Sequence, residues 1–119
     1  MCYIGKSIKQ ENFIKRQLQV PIYHSTVIFV DDFDQAKKFC QASEFIEDCK
    51  NGSAGFTLVD ECGTILLCVT DGDLSTLVHE LSHVAYFILD HVGVEHDPEA
   101  HESYSYLLAF LFDKTRGWL

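Results

Sequence analysis

Basic residues are scarce in this chain of 119 residues, which carries 9 Lys and Arg against 18 Asp and Glu, a net charge of −9. Binding to nucleic acid needs clustered cations to meet the phosphates, so no nucleic-acid partner is expected. Long apolar runs are missing as well. No stretch reaches the roughly 18 residues that span a bilayer, and the opening "MCYIGKSIKQENF" lacks the apolar centre and small-residue cleavage site of a signal peptide. The expectation is a cytoplasmic protein without membrane association. The five cysteines, Cys2, Cys40, Cys49, Cys62 and Cys68, contain no CxxC pair. They read as small buried hydrophobes in a reducing compartment, none a metal ligand, although Cys62 and Cys68 flank one hairpin and could approach each other. There is also no internal repeat, low-complexity tract or Pro/Gly/Ser-rich linker, which leaves a single domain over residues 1–119.

What is present is 47% hydrophobic content with scattered charge, the composition of an ordinary globular domain. The charge is uneven. Residues 1–20 hold Lys6, Lys9, Lys15 and Arg16 against Glu11 alone, while the remaining 99 residues hold five basic and 17 acidic side chains. This reads as a basic, solvated N-terminal arm of 1–20 on a core of 21–119, with an acidic partner or the acidic body as its alternative contacts.

Periodicity gives the elements. Residues 4–16 suggest a short amphipathic helix. "LQVPIYHSTVIFV" alternates, placing Leu18, Val20, Ile22, Thr26, Ile28 and Val30 on one side of a strand that Pro21 marks as an edge, or as starting after it. In "DDFDQAKKFCQASEFIEDCKNG", Asp32 suits an N-cap, with Phe33, Ala36, Phe39, Cys40, Ser43 and Ile46 facing inward. "AGFTLVDECGTILLCVT" reads as a hairpin around Asp60–Gly63. Two helices follow. The first is capped by Ser75 and stopped at Gly93; the second is capped by Asp97 with Pro98 in its first turn. The predicted class is α+β, with the last two helices packed together over a small sheet.

The segment "VHELSHVAYFILDHVG" (78–93) sets His79, Glu80, Ser82 and His83 into an otherwise apolar helix. Residues four apart project from one face, so His79 and His83 aim two imidazoles at one point. Glu80 follows about 100° around the axis, beside an ion rather than on it. This is H-E-x-x-H, for which zinc is the natural guest. Apolar flanks on both sides predict that the pair sits at a buried wall. A buried Glu80 lacking a cation or donor would be unfavourable, which weighs against the alternative of two structural histidines and a solvated glutamate. A catalytic zinc takes a third protein ligand. Candidates are His96, Asp97, Glu99, His101 and Glu102. Glu102 is the best placed if the two helices run antiparallel, and His91 lies too far along the axis. His24 reads as a structural histidine of a strand, and Asp90 as a polar helix end.

"HELSH", then a helix, a turn and "EAHESYSYLLAFL", resembles the zincin metallopeptidases. Within them it is most similar to the gluzincin type and to small phage- and prophage-encoded metallopeptidase domains. The likeness covers roughly residues 55–115. It implies that His79 and His83 are zinc ligands, that Glu102, separated from His83 by 18 residues, is the third ligand, and that Glu80 is the general base. It also implies that the hairpin offers an edge strand to an extended peptide. No metzincin extension follows His83, and Tyr106 stands where thermolysin-like chains place a ligand-orienting Asp. The expected function is a zinc-dependent hydrolase, a small metallopeptidase in which Glu80 activates water. Tyr106 is the first candidate to stabilise the oxyanion, with Tyr104 and His101 behind it. The alternative is a non-catalytic zinc-binding protein that holds a host or partner protein. Within the enzyme class, a regulatory protease that cleaves a repressor is a further possibility.

Overall fold

Val30 ends the first run of strand-forming residues, and Asp31–Asp32 turn the chain into a helix, which sets the order of everything that follows. The computed structural model describes residues 16–39, 54–60, 62–95, 97–98 and 101–119. The expected helix over 4–16, apart from its last residue Arg16, the second half of the helix in 31–52, and the candidate ligands His96 and Glu99 lie outside the described residues. The elements are β1 (Gln17–Val20), β2 (Ser25–Val30), α1 (Phe33–Phe39), β3 (Gly55–Val59), β4 (Thr64–Val69), α2 (Leu74–His91) and α3 (His101–Thr115), with a final 3-10 turn at Arg116–Trp118. The α+β class is as expected. The four strands form one mixed sheet in the order β1-β2-β4-β3, in which β2 and β4 are parallel and both outer pairs antiparallel.

The single strand expected across Pro21 is two strands. Tyr23 N–H donates to the Pro21 carbonyl at 2.8 Å, a three-residue turn that puts Ile22 at φ 74°, with His24 close by at φ 55°. Proline withholds a ladder donor, so the chain reverses there. Leu18 then pairs with Val27 and Val20 with Ser25, which moves Leu18 and Val20 to the opposite face from Ile28 and Val30. Ile22 lies in solvent, and His24 belongs to the exposed turn rather than to a strand.

The central strands β2 and β4 are buried on both faces, as their unbroken apolar runs require. Val27, Phe29, Ile65, Leu67 and Val69 pack under α2 and α3. Ile28, Val30, Leu66 and Cys68 pack with Phe56 and with Ala36 of α1 on the far side. In β3 the register pairs Phe56 with Cys68 and Leu58 with Leu66, so Gly55 and Thr57 are the residues turned toward α2. The hairpin turn is held by Asp60, whose Oδ1 accepts from Cys62 N–H and Thr64 N–H at 2.9 and 3.0 Å. Cys62 does not pair with Cys68. It is disulfide-bonded, whereas Cys68 is buried and in no disulfide. The expectation of buried, reduced cysteines is thus corrected at Cys62, which lies exposed at the hairpin tip.

The cap of α2 is Asp73, not Ser75. Its Oδ1 accepts from both the N–H and the hydroxyl of Ser75 at 2.9 Å, which occupies the hydroxyl that would otherwise have served as a cap. The stop at Gly93 is as expected. Gly93, at φ 84°, donates to Asp90, and Val94 donates to Leu89, closing the last carbonyls as in a Schellman motif. No helix among the described residues is long and apolar enough to cross a membrane.

Candidate metal and catalytic site

Helix α2 buries Leu77, Leu81, Val84, Ala85, Ile88 and Leu89 against the sheet and α3. The opposite face carries His79, His83, Tyr86 and Asp90, all exposed. The two imidazoles are neighbours, with ring centroids 5.1 Å apart and planes at 76°. The His79 side chain is 69% exposed, so the buried wall expected from the apolar flanks is not there. Neighbours in a helical sequence step about 100° around the axis, and apolar residues beside a histidine therefore say little about that histidine's own face.

Glu80 is the buried member of the motif, 7% exposed. It turns toward the edge strand β3, where the Thr57 hydroxyl donates to its Oε1 at 2.8 Å and also lies 3.3 Å from its backbone carbonyl. Gly55 makes this approach possible, since a Cβ there would come within 3.1 Å of Glu80 Cγ and 3.0 Å of Thr76 Cγ2. The second oxygen, Oε2, faces His79 Nε2 at 4.0 Å. The step from His79 to Glu80 thus places a buried carboxylate beside the exposed imidazole pair, as the motif's spacing predicts.

Helix α3 reaches the motif through Tyr104, whose hydroxyl donates to the Ser82 carbonyl at 3.2 Å. This brings the first turn of α3 alongside the middle of α2. Glu102, two residues earlier, is exposed, with its Oε1 3.8 Å from His101 Nδ1. Among the described residues no three His, Cys, Asp or Glu side chains gather closely enough to hold a metal ion, so Glu102 and His101 stand near the pair's helix without closing a site with it. Tyr106, 73% exposed, lines a groove of about 420 Å³ with Ser103, Phe110 and the Pro21–Tyr23 turn. It lies on the far side of α3 from Tyr104, facing the groove rather than α2. His91 abuts Gly63 at the hairpin tip, away from the pair, and Asp97 is exposed ahead of α3.

Two imidazoles one helical turn apart suit a zinc-type ion. The carboxylate at their side has Oε1 tied to Thr57 and Oε2 turned to His79, with no donor to Oε2 among the described residues. Two histidines of a zinc-type donor set thus stand together with a carboxylate beside them, and no third ligand joins them among the described residues. Thr57 was not legible as part of this site. Its only signal was the pair of small or polar residues, Gly55 and Thr57, alternating with apolar ones in "GFTLV". No protein family, characterised protein or solved structure matches the chain.

Proposed function

We propose that the chain is a small zinc-dependent hydrolase of the zincin class, a metallopeptidase. In this reading His79 and His83 hold the ion, Glu102 is the third ligand and Glu80 is the general base. The observation that carries it is the pairing of two exposed imidazoles, 5.1 Å apart, with a buried carboxylate whose Oε2 faces His79 at 4.0 Å. A structural zinc site has no use for such a carboxylate and closes with a fourth Cys or His instead. Bound zinc supplies Lewis acidity and lowers the pKa of water toward about 7. Beside such an ion Glu80 would accept a proton from the attacking water and return it to the leaving amine. The outer edge of β3, which among the described residues pairs only with β4, offers backbone donors and acceptors to an extended peptide. Glu102 would be the third ligand, on the α3 turn that Tyr104 anchors to Ser82. Tyr106 is the oxyanion donor suggested by the sequence, and it serves in that role only if the bound peptide reaches its groove.

The competing reading is a non-catalytic zinc-binding protein that holds a partner, favoured by the third ligand's not being gathered among the described residues. Elemental analysis of tag-free protein purified without chelator tests the metal: about one zinc per chain is expected, weakened in Glu102→Ala. Glu80→Gln is expected to keep the zinc and lose peptide hydrolysis by at least about a hundredfold. Zinc without any turnover that Glu80→Gln removes would favour the binding protein, and no metal uptake at all would leave an interaction module without an ion.

A further inference from the structure

The base of the proposed site has a neighbour that the motif does not contain. Thr57 stands on the edge strand, opposite Leu67, and reaches across to the helix rather than along the sheet. Its hydroxyl is the sole hydrogen-bond donor to the Glu80 carboxylate among the described residues, at 2.8 Å to Oε1. Gly55, two residues earlier on the same face, leaves the room for Glu80 Cγ that brings the carboxylate into reach of the threonine. One carboxylate oxygen is therefore tied to the sheet, and the other, Oε2, is turned to His79 Nε2 at 4.0 Å.

We propose that Thr57 is a positioning residue that holds Glu80 beside the ion as a base and prevents it from becoming a ligand. The inference rests on the metal reading above. A carboxylate next to two histidines has two possible roles, and they exclude each other. Coordinated, its lone pairs are committed to the ion and no longer accept a proton from water. Held back by a hydrogen bond, it keeps them free. In a buried seat with one donor, removal of that donor leaves the ion as the remaining partner for the negative charge.

The experiment is a Co²⁺ titration followed by visible absorption, with chelator competition for affinity. It is run on the full chain and on Thr57→Ser, Thr57→Val and the double variant Thr57→Val/Glu80→Gln. Thr57→Val should bind Co²⁺ about tenfold more tightly than the wild type, with an altered absorption band, because Glu80 has become a ligand. Thr57→Ser retains the hydroxyl and should match the wild type, and the double variant should lose both the gain and the new band. If branched valine prevents folding, Thr57→Ala carries the same expectation. Metal bound by every chain with one affinity and one spectrum would overturn the role of Thr57 and leave the metal site standing. No Co²⁺ uptake by any chain would overturn the metal site, and the role of Thr57 with it.

Discussion

A Cβ on Gly55 would lie 2.8 Å from the Cys68 carbonyl oxygen, a backbone atom that cannot move aside alone. Gly55→Ala should therefore strain the β3–β4 pairing, with Thr76 and Glu80 of α2 crowded as well, and destabilise the fold by about 1–3 kcal/mol, read as a lower urea midpoint at unchanged slope. A midpoint equal to the wild type's would show that the two strands and the helix do not press on this residue. The opposite sign is expected at Ile22, a β-branched residue held at φ 74° and 84% exposed. Left-handed backbone opposes a Cβ by roughly 1–2 kcal/mol, so Ile22→Gly should raise stability by about 1 kcal/mol after the entropy of the added glycine is subtracted. A loss of stability there would mean that the Ile22 side chain contributes packing beyond its exposure. At this scale the sequence was informative about identity and poor about direction. It located His79, Glu80 and His83, yet it placed the histidines inward, and the structure buries only the glutamate. Tertiary packing chose which third of the motif faces the sheet, and nothing in five consecutive residues encodes that choice.

Helix α2 is positioned by its ends. Asp73 accepts two hydrogen bonds from Ser75, which hold its carboxyl below the ordinary value of 3.8. A carboxylate with a depressed folded pKa contributes stability that is fully present above the unfolded value and lost as pH falls through the folded one. The difference in melting temperature between the wild type and Asp73→Ala should accordingly be constant above about pH 5 and shrink below about pH 4. A difference that persists undiminished in acid would show that the cap does not act through the ionised carboxylate. The C-terminal end was readable because Gly93 is an unmistakable stop, whereas Asp73 and Ser75 are equally good caps and only the realised hydrogen bonds separate them. The β1–β2 turn was misread for a similar reason. Apolar alternation on either side of Pro21 can be drawn as one strand, and the reversal appears only in the Val20–Ser25 pairing.

For the whole molecule, an ion that binds the folded chain and not the unfolded one must raise its stability. Free zinc at a hundred times its Kd should add about 2.7 kcal/mol, seen as a higher Tm in calorimetry and absent in His79→Ala and His83→Ala. Equal shifts in those variants would move the zinc elsewhere on the surface. The single sheet explains why such a site is available. Parallel β2 and β4 take both faces of the core, α1 covers one face and α2 with α3 the other, and β3 is the edge strand next to Glu80 among the described residues. The sequence by itself determined the α+β class, the hairpin, the two terminal helices and the H-E-x-x-H spacing, because turn residues, stops and a four-residue interval are local and survive without knowledge of neighbours. Only the tertiary structure decided that β1 and β2 form a hairpin, that the histidines face outward, that Thr57 holds Glu80, and that Tyr104 rather than Tyr106 meets α2. Each of these is a contact between segments distant in sequence. Which face of an element finds its partner depends on the register and crossing of both, and neither segment carries that information alone.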